Sequence, residues 1–247
     1  MEGFSIDINC DVGEGTGNEE DILPYVSSCN IACGGHAGDA NSMRRTARLA
    51  KANKVKVGAH PSYPDKENFG RKMMHIGKAE LLTSIKQQLA QFVEILDEEL
   101  IELHHIKPHG ALYNAVAKDP ILAKLFLQAV EIYRKKVLLY MPYGSVAAKV
   151  AVENGFQIRY EAFGDRNYRD DLSLVPRTHK KALIVSPEQA LRHVLPMIKR
   201  QVVHTINEKK RKILADTLCI HSDTPSALKI IVYLSKQLPK YEVQIVK

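Results

Sequence analysis

Cys29–Asn53 reads CNIACGGHAGDANSMRRTARLAKAN. Its first five residues are mostly small or apolar and predict the end of a buried strand. Ser42–Asn53 predicts a helix. Between them Gly34, Gly35 and Gly38 surround Asn30, His36 and Asp39. A glycine-rich turn with a histidine packed on it needs no more than this. The arrangement gains weight because the rest of the chain repeats it.

Strand-like runs recur at a regular pace: Ser5–Val12, Cys29–Cys33, Lys56–His60, Leu103–His109, Val137–Tyr143, Ile158–Phe163, Ala182–Val185 and Thr217–His221, with Glu242–Val246 as a candidate last one. Helical patterns fill the gaps. In Lys78–Leu100, Leu81, Ile85, Leu89, Phe92 and Leu96 fall on one face and Lys86, Gln87 and Glu94 fall off it. That is the 3.6-residue period of a helix with one packed face. Asp119-Pro120, Ser186-Pro187 and Thr224-Pro225 read as N-caps followed by proline at the first helical position, and Ser186 with Gln189 fits a capping box. Alternating strands and helices predict an α/β fold with a parallel sheet and right-handed crossovers. The count suits a closed (β/α) barrel over residues 1–247 as one domain, with an open doubly wound sheet as the alternative.

The chain has 247 residues, 45% of them hydrophobic, enough to fill one barrel core. No apolar run approaches the ~18 residues of a membrane span. The start, MEGFSIDINC, lacks the basic and apolar segments of a signal peptide. Cys10, Cys29, Cys33 and Cys219 lie in or beside apolar runs without zinc-ribbon spacing, as buried free thiols of a cytoplasmic protein would. The net charge is +7, and Lys209–Lys212 reads KKRK. No nucleic-acid motif or aromatic platform accompanies it, so a solvated helix end is expected rather than nucleic-acid binding.

In a parallel β/α fold the C-terminal strand ends face one side, where active sites form. Those ends carry Asn9, Asp11 and Glu14; Asn30, His36 and Asp39; His60, Ser62, Tyr63 and Asp65; Lys107, His109 and Tyr113; Glu161, Asp165, Arg166 and Tyr168; and His221 and Asp223. Ionisable groups at so many ends are poorly explained as stability alone, because burying charge costs free energy. Strand alternation puts Asp7, Asn9 and Asp11 on one face, and His105, Lys107 and His109 on another, with His104 pointing away. The expected catalytic groups are Asp11, His36, His60, Lys107, His109, Glu161 and Asp223. Asn9, Glu14, Asn30, Tyr113, Arg166 and His221 are the expected substrate contacts. Three chemistries remain open. Asp11, His36 and His60 suit a divalent metal, although no HExxH or CxxC motif is present. The same groups suit acid–base catalysis, with Lys107 and Arg166 holding an anion. Nucleophilic catalysis lacks its G-x-S-x-G elbow. Gly13–Gly17, GEGTG, lacks the spacing of a P-loop.

DINCDVGEGTG, NIACGGHAGD, GAHPSYPD, FGRK, KPHGALYN, EAFGDRNY, LVPR and CIHSDTP occur in this order between Asp7 and Pro225. In these motifs the chain resembles the LamB/YcsF family, whose characterised activity is that of the A component of the ATP-dependent bacterial 5-oxoprolinase. The resemblance implies a seven-stranded, TIM-like barrel of the glycoside hydrolase/deacetylase type. It also implies ATP as co-substrate and nucleotide, with separately encoded subunits B and C as partners. Together these would open the lactam of 5-oxoproline to L-glutamate. The chain departs from the family at Gly164, where alanine is usual, at Lys66-Glu67-Asn68, at Lys72, and at Ser222, which stands where the family has glycine. Ser222 would matter if that glycine had a positive φ.

On this reading Asp11, His60 or His109 would activate water, while Lys107 and Arg166 would stabilise phosphate or carboxylate charge. A metal-dependent amide or sugar deacetylase is the second reading, and a non-catalytic binding member of a complex the third. Pro108 and Gly110 should aim Lys107 and His109 together into the barrel mouth. A charged mouth residue adds little to a core, so both should be replaceable without unfolding.

Overall fold

The computed structural model describes residues 3–247. Its strands are β1 (Phe4–Val12), β2 (Ser28–Ala32), β3 (Lys56–His60), β4 (Leu103–Ile106), β5 (Leu138–Pro142), β6 (Gln157–Phe163), β7 (Val202–His204), β8 (Lys210–Lys212), β9 (Thr217–Cys219) and β10 (Val243–Ile245). Each of β1 to β5 pairs in parallel with the next, β6 pairs with β9, and β9 returns to β1, closing a seven-stranded parallel barrel. β10 adds outside this ring, along the start of β1.

The expected strand at Ala182–Val185 does not form. That stretch makes one bridge, Leu183 to Arg166, within a long loop after β6. Its apolar residues pack on the loop: Ile184 N donates to Asp165 O and Asn167 N donates to Ala182 O. The basic run is not a helix end either. Lys210–Lys212 is strand β8 of an antiparallel hairpin with β7.

The helices are α1 (Glu19–Ile22), α2 (Ala40–Ala52), α3 (Lys78–Glu98), α4 (Gly110–Val116), α5 (Pro120–Ala129), α6 (Val146–Glu153), α7 (Pro187–Arg200) and α8 (Ala227–Gln237). α3 buries Leu81, Ile85, Leu89, Phe92 and Leu96, the face its period predicts. α2 starts on a reciprocal box between Asp39 and Ser42. Asp39 is therefore an exposed helix cap, outside the barrel mouth. Asp119 and Ser186 cap α5 and α7 as expected, Ser186 accepting from Gln189 N. Thr224 does not cap α8; its hydroxyl donates to Asp165, and Ser226 occupies the cap position without a side-chain bond.

β1 to β3 are buried along nearly their whole length, as strands covered on both sides must be. No helix among the described residues is long and apolar enough to cross a membrane. The four cysteines are buried free thiols. The C-terminal ends of the seven parallel barrel strands reach the same mouth, and the site is built there.

Candidate active site

The deepest layer is a connected polar network. Asn30 Nδ2 donates to Asn9 Oδ1 and to Asp11 Oδ1, each at 2.7 Å. His105 Nε2 donates to Asn30 Oδ1 at 2.7 Å. Asn9 Nδ2 donates to Glu161 Oε1 at 3.0 Å and to Thr217 Oγ1 at 2.7 Å. Lys107 Nζ closes the network, 2.8 Å from Asp11 Oδ1 and 2.9 Å from Glu161 Oε1. All these groups are buried. Burial works against the Lys107 charge, but Asp11 more than offsets this and holds the ammonium well above its ordinary range. Burial also opposes ionisation of Asp11, and His60 and Lys107 hold its carboxyl well below the usual range.

Lys107 is thus part of the buried core electrostatics, not a replaceable mouth charge. Its removal would leave two buried carboxylates without the ammonium that compensates their charge, which is costly. Its burial and its two carboxylate partners run against the expectation that it adds little to stability.

A second layer gathers Glu14, His36, His60 and His109. His60 Nδ1 donates to Lys107 O at 2.8 Å, and His109 Nε2 donates to Phe69 O at 3.0 Å. His60 Nε2 faces His109 Nδ1 at 3.0 Å, and Asp11 Oδ2 lies 3.4 Å from the same His60 nitrogen. Glu14 Oε1 is 2.9 Å from His36 Nε2 and 3.3 Å from His109 Nδ1. The His36 ring stacks on that of His109 with centroids 3.6 Å apart. Burial, with the Asp11 charge, pushes Glu14 up to about 7. Burial holds His36 down to about 3 and His109 well below its ordinary value. His109 precedes the first residue of α4 but makes no side-chain bond to that helix. Its role is in this cluster, and Gly110, at φ 53°, lets the chain turn away behind it.

The third layer is the rim of a cleft of ≈ 710 Å³, whose lining includes Asp11, His60, Lys107, His109, Tyr113 and His221. Asp223 pairs with Arg71 at 2.6 Å and with Arg177 at 3.3 Å. Arg166 is buried; its Nη2 donates to Val175 O at 2.7 Å, while Nε has no partner among the described residues. Burial, and then Arg177, brings the Arg166 guanidinium down to about 10. His221 donates from Nδ1 to the Asp165 carboxylate at 3.1 Å. Burial opposes ionisation of Asp165, but His221 and Thr224 keep its carboxyl below the usual range. The His221 donor atom lies within 4.8 Å of donors on Asp11 and Cys219.

The structure therefore brings all the expected residues to one end of the barrel, but in different layers. Asn9 and Asn30 are fully buried, and each spends its amide on neighbours. They position Asp11 and Glu161. Glu161 Oε2 and the Tyr113 hydroxyl are buried without a partner among the described residues, and both line a smaller cavity of ≈ 50 Å³. Of the three expected metal ligands, His36 and His60 join the histidine cluster, while Asp11 has Oδ1 on Lys107 and Oδ2 3.4 Å from His60 Nε2. Ser222 has no positive φ, so serine meets no backbone strain in the family's glycine position. Arg71 and Arg177 belong to the site without having been singled out, and His105 and Asp165, placed at strand ends by the sequence, were given no role there. The two arginines stand in the FGRK and LVPR motifs, which were the available signal.

The sequence profile of the LamB/YcsF family matches residues 6–247. A protein named as the A component of 5-oxoprolinase, from Pyrococcus abyssi (strain GE5 / Orsay), is 39% identical over 246 residues, covering 98% of this chain and 96% of that one. The crystal structure of a lactam utilization protein from Thermus thermophilus superposes with a TM-score of 0.90 at 34% identity, covering 98% of this chain and 99% of that one. The peptidoglycan deacetylase PdaC of Bacillus subtilis shares the fold alone, with a TM-score of 0.50 at 10% identity, covering 99% and 88% of the two chains. The chain belongs to the LamB/YcsF family.

Proposed function

We propose that this LamB/YcsF protein is the A component of a cytoplasmic, ATP-dependent 5-oxoprolinase, acting with subunits B and C to convert 5-oxoproline and ATP to L-glutamate, ADP and phosphate. The observation that carries the reading is the layered cleft. Arg71, Arg166 and Arg177 offer positive charge at the mouth, and an Asp165-oriented His221 stands beside Asp11. A lactam that bears a carboxylate, and gains a phosphoryl group on its ring oxygen, needs anion binding beside a proton acceptor.

In this mechanism the γ-phosphoryl group passes from ATP to the lactam oxygen, releasing ADP. One water adds to the activated carbon, the ring C–N bond breaks, and the nitrogen leaves with a proton. A second water releases the phosphate. Arg166 binds the substrate anion through its unpartnered Nε, with Arg71 and Arg177 held in place by Asp223. His221 Nε2 takes the proton of the attacking water; its Nδ1–H bond to Asp165 fixes the tautomer this requires. Tyr113 and Glu161, each with an unpartnered buried oxygen, hold or return the proton at the ring nitrogen.

The test is reconstitution. Purified chain with subunits B and C should release glutamate from 5-oxo-L-proline only when ATP is present. The isolated chain should release little, since it carries no known ATP motif. No glutamate from the complete mixture overturns the reading, and robust release by the chain alone overturns the need for partners. The cluster of Glu14 with three histidines favours a second reading, a metal-dependent hydrolase acting on an amide. ATP-independent deacetylation by the isolated chain would support it.

A further inference from the structure

The three imidazoles and one carboxylate at the base of the cleft are arranged so that acceptors face acceptors. A main-chain carbonyl only accepts. His60 Nδ1 and His109 Nε2 therefore carry hydrogens, because they point at Lys107 O and Phe69 O. In a neutral ring the other nitrogen is bare. His60 Nε2 and His109 Nδ1 then meet lone pair to lone pair at 3.0 Å. Glu14 Oε1 adds a third acceptor, 3.3 Å from His109 Nδ1. His36 Nε2 stands 2.9 Å from the same oxygen, and His36 Nδ1 has no partner that would fix its tautomer.

One proton on His60 would relieve the contact between His60 and His109. It would leave an ionised Glu14 against the bare Nδ1 of His109. A single cation among the four donors relieves every contact at once. We propose that Glu14, His36, His60 and His109 bind one divalent transition-metal ion. The donor set of three imidazoles and one carboxylate selects for zinc, cobalt, manganese or nickel over magnesium and calcium, which prefer all-oxygen shells.

The spacing agrees. Donors at ~2.1 Å from a tetrahedral zinc ion stand ~3.4 Å apart. The close donor pairs here are 2.9, 3.0 and 3.3 Å apart, and all four donors lie within 4.8 Å of one another. The outer support is also in place, since ligating histidines typically donate their second N–H to a carbonyl or carboxylate. His60 and His109 both do so. Asp11, the ligand expected from the sequence, has Oδ1 on Lys107 and Oδ2 3.4 Å from His60 Nε2, and it stands beside the four-donor set, whose carboxylate is Glu14. The inference is independent of the reaction assigned to the cleft.

The experiment uses the purified full chain, stripped with a chelator and titrated with Zn²⁺ or Co²⁺. Calorimetry should give one ion per chain. The cobalt-loaded protein should show visible absorption bands of a low-coordinate site, and zinc should raise the melting temperature. Glu14→Gln and His109→Ala should each weaken binding at least 100-fold, while His104→Ala, outside the cluster, should leave it unchanged. Absence of binding by the stripped wild-type chain overturns the proposal and leaves a shared proton as the explanation of the contacts. Undiminished binding in both cluster variants also overturns it, by placing the ion elsewhere. The wild-type titration decides the matter even if a variant fails to fold.

Discussion

Lys107 Nζ lies 2.8 Å from Asp11 Oδ1, with both side chains 3% exposed, across 96 positions of sequence. Glu161 shares the same ammonium at 2.9 Å. Lys107→Met should therefore destabilise the fold by roughly 3–5 kcal/mol, the scale of a buried pair broken on one side. Urea unfolding measures this. Adding Asp11→Asn to Lys107→Met should recover part of the loss, because one stranded charge is removed. Full additivity of the two substitutions would show that the pair does not interact.

Gly58 on β3 lies opposite His105 on β4. A Cβ at position 58 would fall 2.1 Å from His105 Nε2. The ring cannot retreat freely, because Tyr140 stacks on it with centroids 3.9 Å apart. Gly58→Ala should cost about 1–3 kcal/mol, as overpacking does, and more if the bond from His105 to Asn30 is lost. Wild-type stability in this variant would show that the ring swings aside without cost.

Arg166 is the buried rim arginine with an unpartnered Nε. If it binds the substrate anion, Arg166→Lys should raise KM for 5-oxoproline about tenfold or more in the reconstituted complex, with a smaller effect on kcat, since lysine lacks the planar fork. A fall in kcat with KM unchanged would move Arg166 from substrate binding to the transition state.

His193 on α7 supplies a pH dependence away from the cleft. Burial holds its imidazole down to about 4. An unfolded histidine titrates near ~6.5, so the unfolded chain binds the extra proton first as pH falls. Stability from this residue is present above about pH 6.5 and is lost as pH drops toward 4. Between pH 7 and pH 5 the loss should be about 2 kcal/mol. His193→Phe should remove that part of the slope in urea unfolding. Equal slopes in variant and wild type would show that His193 is already neutral in both states, or charged in both.

Much of this protein was legible in one dimension. The run Cys29–Asn53 declared a strand, a glycine loop and a helix, because strand burial, glycine freedom and helical period are local properties. The alternation of Asp7, Asn9 and Asp11, and of His105, Lys107 and His109, was legible for the same reason. So was the crowding of ionisable groups at strand ends, since a parallel barrel sends every C-terminal end to one mouth. The ordered motifs carried the family.

Three things were decided only in three dimensions. Ala182–Val185 has strand composition, yet no barrel edge is free for it, because β6 already pairs with β9. Asp11 Oδ1 pairs with Lys107, 96 residues away, while Glu14, expected as a substrate contact, lies against His36 and His109. Asp223 pairs with Arg71, 152 residues distant in sequence. Residue type and local period tell which groups reach the mouth of the barrel. Which of them meet is set by long-range closure, which brings side chains far apart in sequence into one charge contact.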